Sequence, residues 1–204
     1  MYEKLLRKSL YQRSNVVEIA QELLGKVLHT KIGNQHTAGI IVETEAYRSP
    51  DDKASHAHNN KRTNRTEIMF AQGGVAYIYL CYGIHQMMNV VTGKKDEAHA
   101  VLIRAIEPIL GTDVMLERRK MDKIEYRLTA GPGSLGQALG ISTKLNGTSL
   151  LKSESPIYIT EGSSHYKSYD IIASPRVGID YAEECKNWPW RFRIKGNRWA
   201  SPAK

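Results

Sequence analysis

Cysteine is scarce in this sequence, and no apolar run is long. The two cysteines, Cys81 and Cys185, are too few for a disulfide framework or a cysteine-rich zinc site, so we expect free thiols in a reducing compartment. The longest mostly apolar stretch, 74–84, is far shorter than the roughly 20 residues that cross a bilayer. Segment 1–15 lacks the apolar core of a secretory signal. We therefore expect no membrane partner.

The motifs of common metal and nucleotide enzymes are also missing. Of the seven histidines, only His56 and His58 lie close together, and no third ligand follows at a familiar spacing. There is no Gly-x-Gly-x-x-Gly motif, no P-loop, no Gly-x-Ser-x-Gly and no His-Glu-x-x-His. These absences argue against a metal enzyme.

Positive charge and tyrosine are abundant instead. The chain has 29 Lys and Arg against 21 Asp and Glu, a net charge of +8, which favours polyanionic partners but also serves solubility. Its eleven tyrosines far outnumber its two phenylalanines, and tyrosine rings suit wet surfaces that stack on bases. With 204 residues, 41% hydrophobic and 25% charged, we expect one globular domain over 1–204.

The expected helices and strands do not alternate as βαβ units, which favours an α+β fold over a doubly wound sheet. Asn15 and Glu18 form a capping-box-like start to the first helix. Segment 48–66 is polar, and a loop of this length in a small domain is usually functional or disordered. The expected helices are 16–24, 112–121 and 134–139, with a short one from Asn64, and the expected strands are 26–31, 38–43, 75–80 and 98–104.

Acidic and aromatic residues alternate at the end of the second expected strand. In an extended chain Glu43, Glu45 and Tyr47 lie on one face, because side chains alternate with a period of two. One interpretation is an edge strand with a solvated acidic face. The other is a carboxylate poised at a strand end as a general base.

Three tyrosines lie in and after the expected strand 75–80. Tyr77 and Tyr79 share one face of it, whereas Tyr82 precedes Gly83, where the strand should end. For Tyr77 we favour ordinary packing in the sheet. For Tyr79 and Tyr82, packing competes with a platform or wedge that stacks on nucleic-acid bases.

Basic residues concentrate in the polar loop, where Lys61, Arg62 and Arg65 closely follow two histidines. A solvated charged loop explains this pattern. The alternative is contact with phosphates through the three basic side chains, with His56 turned toward a substrate. Later in the chain, Arg104 follows an apolar strand, and it is either a strand-end cap or a buried charge that needs a carboxylate or water.

The chain carries a series of short motifs whose order and spacing are more specific than any one of them. They are Val42–Tyr47, Ala54–His56, Met69–Phe70, Tyr77–Gly83, Met88–Asn89, Leu102–Pro108, Gly131–Pro132, Gln137–Leu139, Pro175–Gly178 and Arg191–Phe192. Together they resemble the alkyladenine (3-methyladenine) DNA glycosylase family over roughly 20–201. The resemblance implies a single mixed α+β domain on an antiparallel sheet with flanking helices, without metal or cofactor.

Enzymes of that family evert a damaged purine from duplex DNA and hydrolyse its N-glycosidic bond, so the resemblance implies this activity. It makes Glu45 the general base that activates water and Arg104 a residue that helps to hold that water. It makes Tyr82 the wedge that fills the gap left in the duplex. The base pocket it implies is lined by Tyr47, His56, Tyr79 and Asn89.

The chemistry of the lesion fits these assignments. An alkylated purine is cationic, and the faces of Tyr47 and Tyr79 attract a cation with roughly 0.5–2 kcal/mol. The resemblance also implies that Asn89 sits at the pocket wall and helps to exclude normal purines. Ile84 departs from the pattern, since a larger or sulfur-bearing residue there could support the wedge, and this leaves the preferred lesion open.

The resemblance predicts double-stranded DNA with damaged purines as the partner, a monomeric enzyme, and a cytoplasmic location with nucleoid association in a prokaryote. The main alternative is a non-catalytic or RNA-directed nucleic-acid-binding domain on the same fold. The presence of Glu45 together with Arg104 argues against it. A small-molecule transferase is less favoured, because no phosphate-cradling loop is present.

Overall fold

Eight strands form one antiparallel sheet in the part of the chain that the computed structural model describes, residues 4–162 and 170–201. The strands are β1 Val27–Ile32, β2 Gln35–Tyr47, β3 Ala76–Cys81, β4 His85–Thr92, β5 His99–Leu110, β6 Ile157–Thr160, β7 Ile171–Ser174 and β8 Arg191–Ile194. Six of them lie in the order β3-β4-β5-β2-β1-β6, and β8 pairs with both β2 and β7. Residues 1–3, 163–169 and 202–204 lie outside the described ranges, so the domain limits 1–204 stay a prediction.

Helices accompany the sheet, which confirms the predicted α+β fold. The α-helices are α1 Lys8–Tyr11, α2 Val16–Glu22, α3 Thr112–Arg119 and α4 Pro132–Ala138. Short 3₁₀ helices occur at His58–Asn60, Glu67–Phe70, Tyr126–Leu128, Thr143–Leu145 and Asp180–Asn187. Among the helices of the described ranges, none has both the length and the apolar character needed to cross a membrane.

The strand that carries the acidic residues, β2, lies inside the sheet. Its first half pairs with β1 and its second half with β8, while β5 runs along its other side. Glu45 therefore has Leu102 on one side and Arg191 on the other. Both Glu43 and Glu45 are fully buried. The interpretation of an edge strand with a solvated acidic face is therefore wrong.

The alternation of side chains divides the sheet into an apolar face and a more polar face. Ile78, Met88 and Ile103 lie in the main hydrophobic core on the apolar face. Helix α2 packs over this side, where the Thr44 hydroxyl donates a hydrogen bond of 2.8 Å to the carbonyl of Ala20. The residues between these positions point to the opposite face, where the candidate site lies.

Local signals account for where two of the elements begin and end. Helix α2 starts at the predicted residue, and the Asn15 side chain caps it by accepting the backbone N–H of Glu18 at 3.3 Å. The last expected strand, 98–104, is too short, because β5 continues through Pro108 to Leu110. A register shift beside Gly39, the partner of Pro108, accommodates a residue that has no N–H to donate.

Two further predictions concern a short helix and the state of the cysteines. The short helix expected from Asn64 is the 3₁₀ helix at Glu67–Phe70. Cys81 and Cys185 are free, as predicted.

Candidate active site

A row of paired residues crosses the polar face of the sheet. Tyr77 of β3 lies opposite Asn89 of β4, and Asn89 lies opposite Leu102 of β5. Leu102 in turn lies opposite Glu45 of β2. Because side chains two positions apart share a face, neighbours on the same strands add to this side. Together with residues outside the strands, chiefly from segments 54–69 and 177–181, they line a cavity of about 460 Å³, a volume typical of small-ligand sites.

The structure brings most of the site residues predicted from the sequence into this one cavity. Lys61 and Arg62 do not line it. Lys61 is exposed, and Arg62 forms ion pairs with Glu67 at 2.8 Å and Asp96 at 3.0 Å. Their contact with phosphates stays a prediction. The predicted residues that line the cavity are Glu45, Tyr47, His56, Arg65, Tyr79, Tyr82, Asn89 and Arg104.

Three groups hold the Glu45 carboxylate in a fixed orientation at the cavity wall. One of its oxygens accepts the Tyr47 hydroxyl at 2.8 Å, and the same oxygen lies 3.3 Å from Nη1 of Arg104. The other oxygen accepts the backbone N–H of Val177 at 2.8 Å. The carboxylate thus lines the cavity although the residue has no exposed surface.

Glu43 anchors Arg104 from the neighbouring position on the same face. Its Oε1 atom accepts hydrogen bonds of 2.8 Å from Nε of both Arg104 and Arg191. Burial favours the neutral carboxyl group, but the charge of Arg104, the backbone N–H of Ser201 and the charge of Arg191 outweigh it and lower the pKa of Glu43. Arg104 is therefore a buried charge with carboxylate partners. The alternative of a strand-end cap is wrong, since β5 extends well beyond it.

One wall of the cavity is built from His56, Tyr77 and Tyr79. The His56 and Tyr79 rings are 4.7 Å apart and nearly perpendicular. Nδ1 of His56 lies 2.9 Å from the Tyr77 hydroxyl, and Nη2 of Arg65 lies 3.1 Å from Nε2. A guanidinium only donates, so Nε2 accepts and Nδ1 carries the proton. Burial, followed by the charge of Arg65, lowers the pKa of His56 to about 4, so the ring is neutral near pH 7.

Another part of the cavity wall is the ring of Tyr47, which Arg176 supports. The guanidinium carbon of Arg176 lies 4.7 Å from the Tyr47 ring centroid. Nη2 of Arg176 donates to Asp52 at 2.8 Å and Nη1 donates to the Ala46 carbonyl at 2.8 Å, so the side chain is held rigidly. Burial, followed by the charge of Glu45, raises the pKa of Tyr47 well above its usual value. The hydroxyl therefore stays protonated and donates to Glu45.

The hairpin between β3 and β4 carries exposed apolar side chains at its tip. Tyr82 is 87% exposed and Ile84 is 71% exposed, whereas Tyr77 on the same hairpin is buried. Tyr77 packs in a core cluster, but it also lines the cavity, so the expectation of ordinary packing alone is wrong. Tyr82 has a φ of +50° and Gly83 one of +73°, so both turn residues adopt the left-handed conformation. At the base of the hairpin, Asn89 donates from its side chain to the carbonyl of Tyr77 at 3.1 Å.

Sequence reasoning missed several residues of the site. Arg176 and Val177 lie in a motif of the resemblance but carried no predicted role, and Val177 contributes a backbone N–H that no residue type reveals. Tyr181, which is 66% exposed, also lines the cavity. Its place in a 3₁₀ helix far along the chain gave no local signal of this position.

These features define a class of enzyme by what they can do chemically. A buried carboxylate beside an arginine can orient a water molecule and stabilise positive charge that develops on a sugar, as in glycoside hydrolysis. Aromatic walls accept a flat ring such as a nucleobase. In the described residues, no cluster of three or more His, Cys, Asp or Glu side chains is placed to hold a metal ion.

Comparison with known proteins agrees with this class. The methylpurine-DNA glycosylase family matches residues 9–198, and the chain belongs to this family of DNA-repair hydrolases. Three relatives, each named "Putative 3-methyladenine DNA glycosylase", come from Chlamydia felis, Clostridium acetobutylicum and Natranaerobius thermophilus. They are 48%, 46% and 45% identical, over 93%, 98% and 94% of this chain and 96%, 98% and 96% of their own lengths.

Proposed function

We propose that this glycosylase everts an alkylated or deaminated purine from duplex DNA and hydrolyses its N-glycosidic bond with a water molecule activated by Glu45. The substrates belong to the class of 3-methyladenine, 7-methylguanine, hypoxanthine and ethenoadenine. The names of the relatives support a methylated purine as substrate. The observation that carries the mechanism is the oriented, fully buried Glu45 carboxylate at the wall of a ring-lined cavity.

In this mechanism the exposed Tyr82 ring enters the stack as the purine leaves it, and so offsets part of an eversion cost of about a few kcal/mol. The purine lies between Tyr47 on one side and His56 with Tyr79 on the other. The bond between C1′ of the deoxyribose and the base nitrogen breaks, and its electron pair leaves with the base. A cationic purine departs as a neutral base, whereas a neutral purine such as hypoxanthine takes up a proton as it leaves. Water bonds to C1′ and passes a proton to Glu45. The product in the DNA is an abasic site.

Other properties follow from this function as proposals. Double-stranded DNA with damaged purines is the partner, the enzyme acts as a monomer, and it works in the cytoplasm in association with the nucleoid. No lysine stands at the motif position as a Schiff-base nucleophile, so we expect base release without strand cleavage.

Replacement of the general base tests the proposal. In Glu45→Gln we expect base release to fall by about a hundredfold or more, because general-base catalysis contributes roughly that much. Binding to the lesion should persist. Release is measured in single-turnover reactions on duplexes with one lesion each, scored as alkali-labile abasic sites, and binding by fluorescence anisotropy.

Glu117→Gln is the matched control, since Glu117 is an exposed residue of α3 outside the cavity. Normal turnover by Glu45→Gln would show that the catalytic assignment is wrong. A wild-type protein that binds these duplexes but releases no base from any of them would favour the non-catalytic alternative.

A further inference from the structure

Two of the tyrosine rings that line the cavity, Tyr47 and Tyr79, are each already in contact with a guanidinium group. The guanidinium carbon of Arg65 lies 4.8 Å from the Tyr79 ring centroid, and that of Arg176 lies 4.7 Å from the Tyr47 ring centroid. A tyrosine ring attracts a cation through the negative potential of its π face. A ring that already holds one cation attracts a second more weakly, and the two positive charges repel each other.

The two arginines differ in how firmly they are held. The Arg176 side chain is fully buried and paired with Asp52, whose side chain is also fully buried. Arg65 is exposed, stands in a loop at the cavity, and donates from Nη2 to Nε2 of His56 at 3.1 Å. Arg176 is therefore part of the fold, whereas Arg65 can be replaced with little expected cost to folding.

We propose that Arg65 is a specificity-determining residue that biases the cavity toward neutral purine lesions, such as hypoxanthine, and against cationic alkylated purines, such as 7-methylguanine. This inference rests on the proposed function. It changes the expectation drawn from sequence, in which the faces of Tyr47 and Tyr79 favour a cationic base. With Arg65 and Arg176 in place, a cationic purine meets rings that each already interact with one cation, so each ring attracts it more weakly.

The side effects of replacing Arg65 are shared by both classes of lesion. Loss of the hydrogen bond from Arg65 leaves the His56 ring with its hydrogen bond to the Tyr77 hydroxyl, whichever purine is bound. His56 stays neutral, because burial is the larger cause of its lowered pKa. Loss of one positive charge weakens attraction to DNA equally for both duplexes. The ratio of the two excision rates therefore isolates the effect of charge on the bound base.

The experiment measures single-turnover excision of 7-methylguanine and of hypoxanthine from otherwise identical duplexes. For Arg65→Gln we expect the ratio of cationic to neutral excision, relative to wild type, to rise about two- to thirtyfold, the range of a cation–ring contact. Arg65→Lys keeps the charge, and its ratio should stay closer to that of wild type. Circular dichroism verifies that each variant is folded.

Arg62→Gln is the matched control, because it removes the same charge from the same loop. The Arg62 guanidinium lies 4.4 Å from the Phe70 ring centroid, and neither residue lines the cavity. Its ratio should remain that of wild type even if both rates fall. An unchanged ratio in Arg65→Gln, with wild type active on both lesions, overturns the inference alone. If wild type releases neither base, the proposed function fails and the inference fails with it.

Discussion

Glu43 and Glu45 are two positions apart on β2 and point to the same face, yet their neighbours give them different tasks. Glu43 holds two buried arginines, Arg104 and Arg191, at 2.8 Å each. Glu45 has one contact with Arg104 at 3.3 Å, and its other partners are the Tyr47 hydroxyl and a backbone N–H. Environment, and not residue type, therefore separates a structural carboxylate from the one that faces the cavity.

This difference predicts that the same substitution lowers stability much more at Glu43 than at Glu45. Glu43→Gln leaves Arg104 and Arg191 without their shared carboxylate in a buried place, so we expect the free energy of unfolding to fall by about 3 kcal/mol. Glu45→Gln should cost less stability, since Arg104 keeps Glu43. Urea denaturation of both variants checks this, and equal losses in the two would contradict the assigned roles.

Among single residues, the sequence predicted the features that follow from the alternation of side chains along a strand. It placed Glu45 and Tyr47 on one face and recognised Arg104 as a charge in need of a carboxylate. It could not reveal Arg176 or Val177, because each reaches the site across more than a hundred residues of chain. The hydrogen bond from Val177 to Glu45, for example, spans 132 positions.

Among the elements, the β3–β4 hairpin stands out because its tip is apolar and exposed. A turn with two left-handed residues is usually built from glycine or asparagine, so a tyrosine there costs conformational free energy. Strain of this kind is found most often at functional sites. Tyr82 has this conformation and is the most exposed of the large hydrophobic residues described. This supports the prediction that the hairpin tip enters the duplex.

We expect Tyr82→Ala to weaken binding to a lesion-containing duplex about tenfold, because the stacking of one base on a ring contributes roughly 1–3 kcal/mol. Anisotropy titrations in the Glu45→Gln background measure affinity without turnover. Tyr126→Ala removes another ring that is half exposed but lies outside the cavity, and it should bind as the parent does. Unchanged affinity in Tyr82→Ala would make this residue an ordinary surface side chain.

Elements were predictable where the signal was local. The Asn15 cap fixes the start of α2, and strand-like runs of residues mark parts of β1, β2 and β3. The sequence alone did not decide whether loop 48–66 is functional or disordered. Contacts with residues far along the chain hold it in place. Asp52 pairs with Arg176, which is 124 positions away. No local pattern contains such a contact.

For the whole molecule, the net charge of +8 can be read from composition, but the surface that faces DNA cannot. Ion pairs decide how much of each positive charge is available. Arg62 is partly neutralised by Glu67 and by Asp96, which lies 34 positions away. Lys61 is exposed beside it. Lys61 and Arg62 have the same predicted role, but we expect Lys61 to contribute more to the binding of DNA phosphates.

Salt dependence tests this distinction. The logarithm of the binding constant falls with the logarithm of salt concentration, with a slope of about −0.9 for each phosphate neutralised. For Lys61→Gln we expect the slope to become shallower by about 0.9, equally on damaged and undamaged duplexes, since a phosphate contact is independent of the base. Arg62→Gln should change the slope less, because the Arg62 charge is already shared with two carboxylates.

The control is Lys123→Gln, which removes the same charge from an ion pair with Glu125 elsewhere on the chain. Equal changes in Lys61→Gln and Lys123→Gln would mean that a diffuse positive field, and not contact by this loop, holds the DNA.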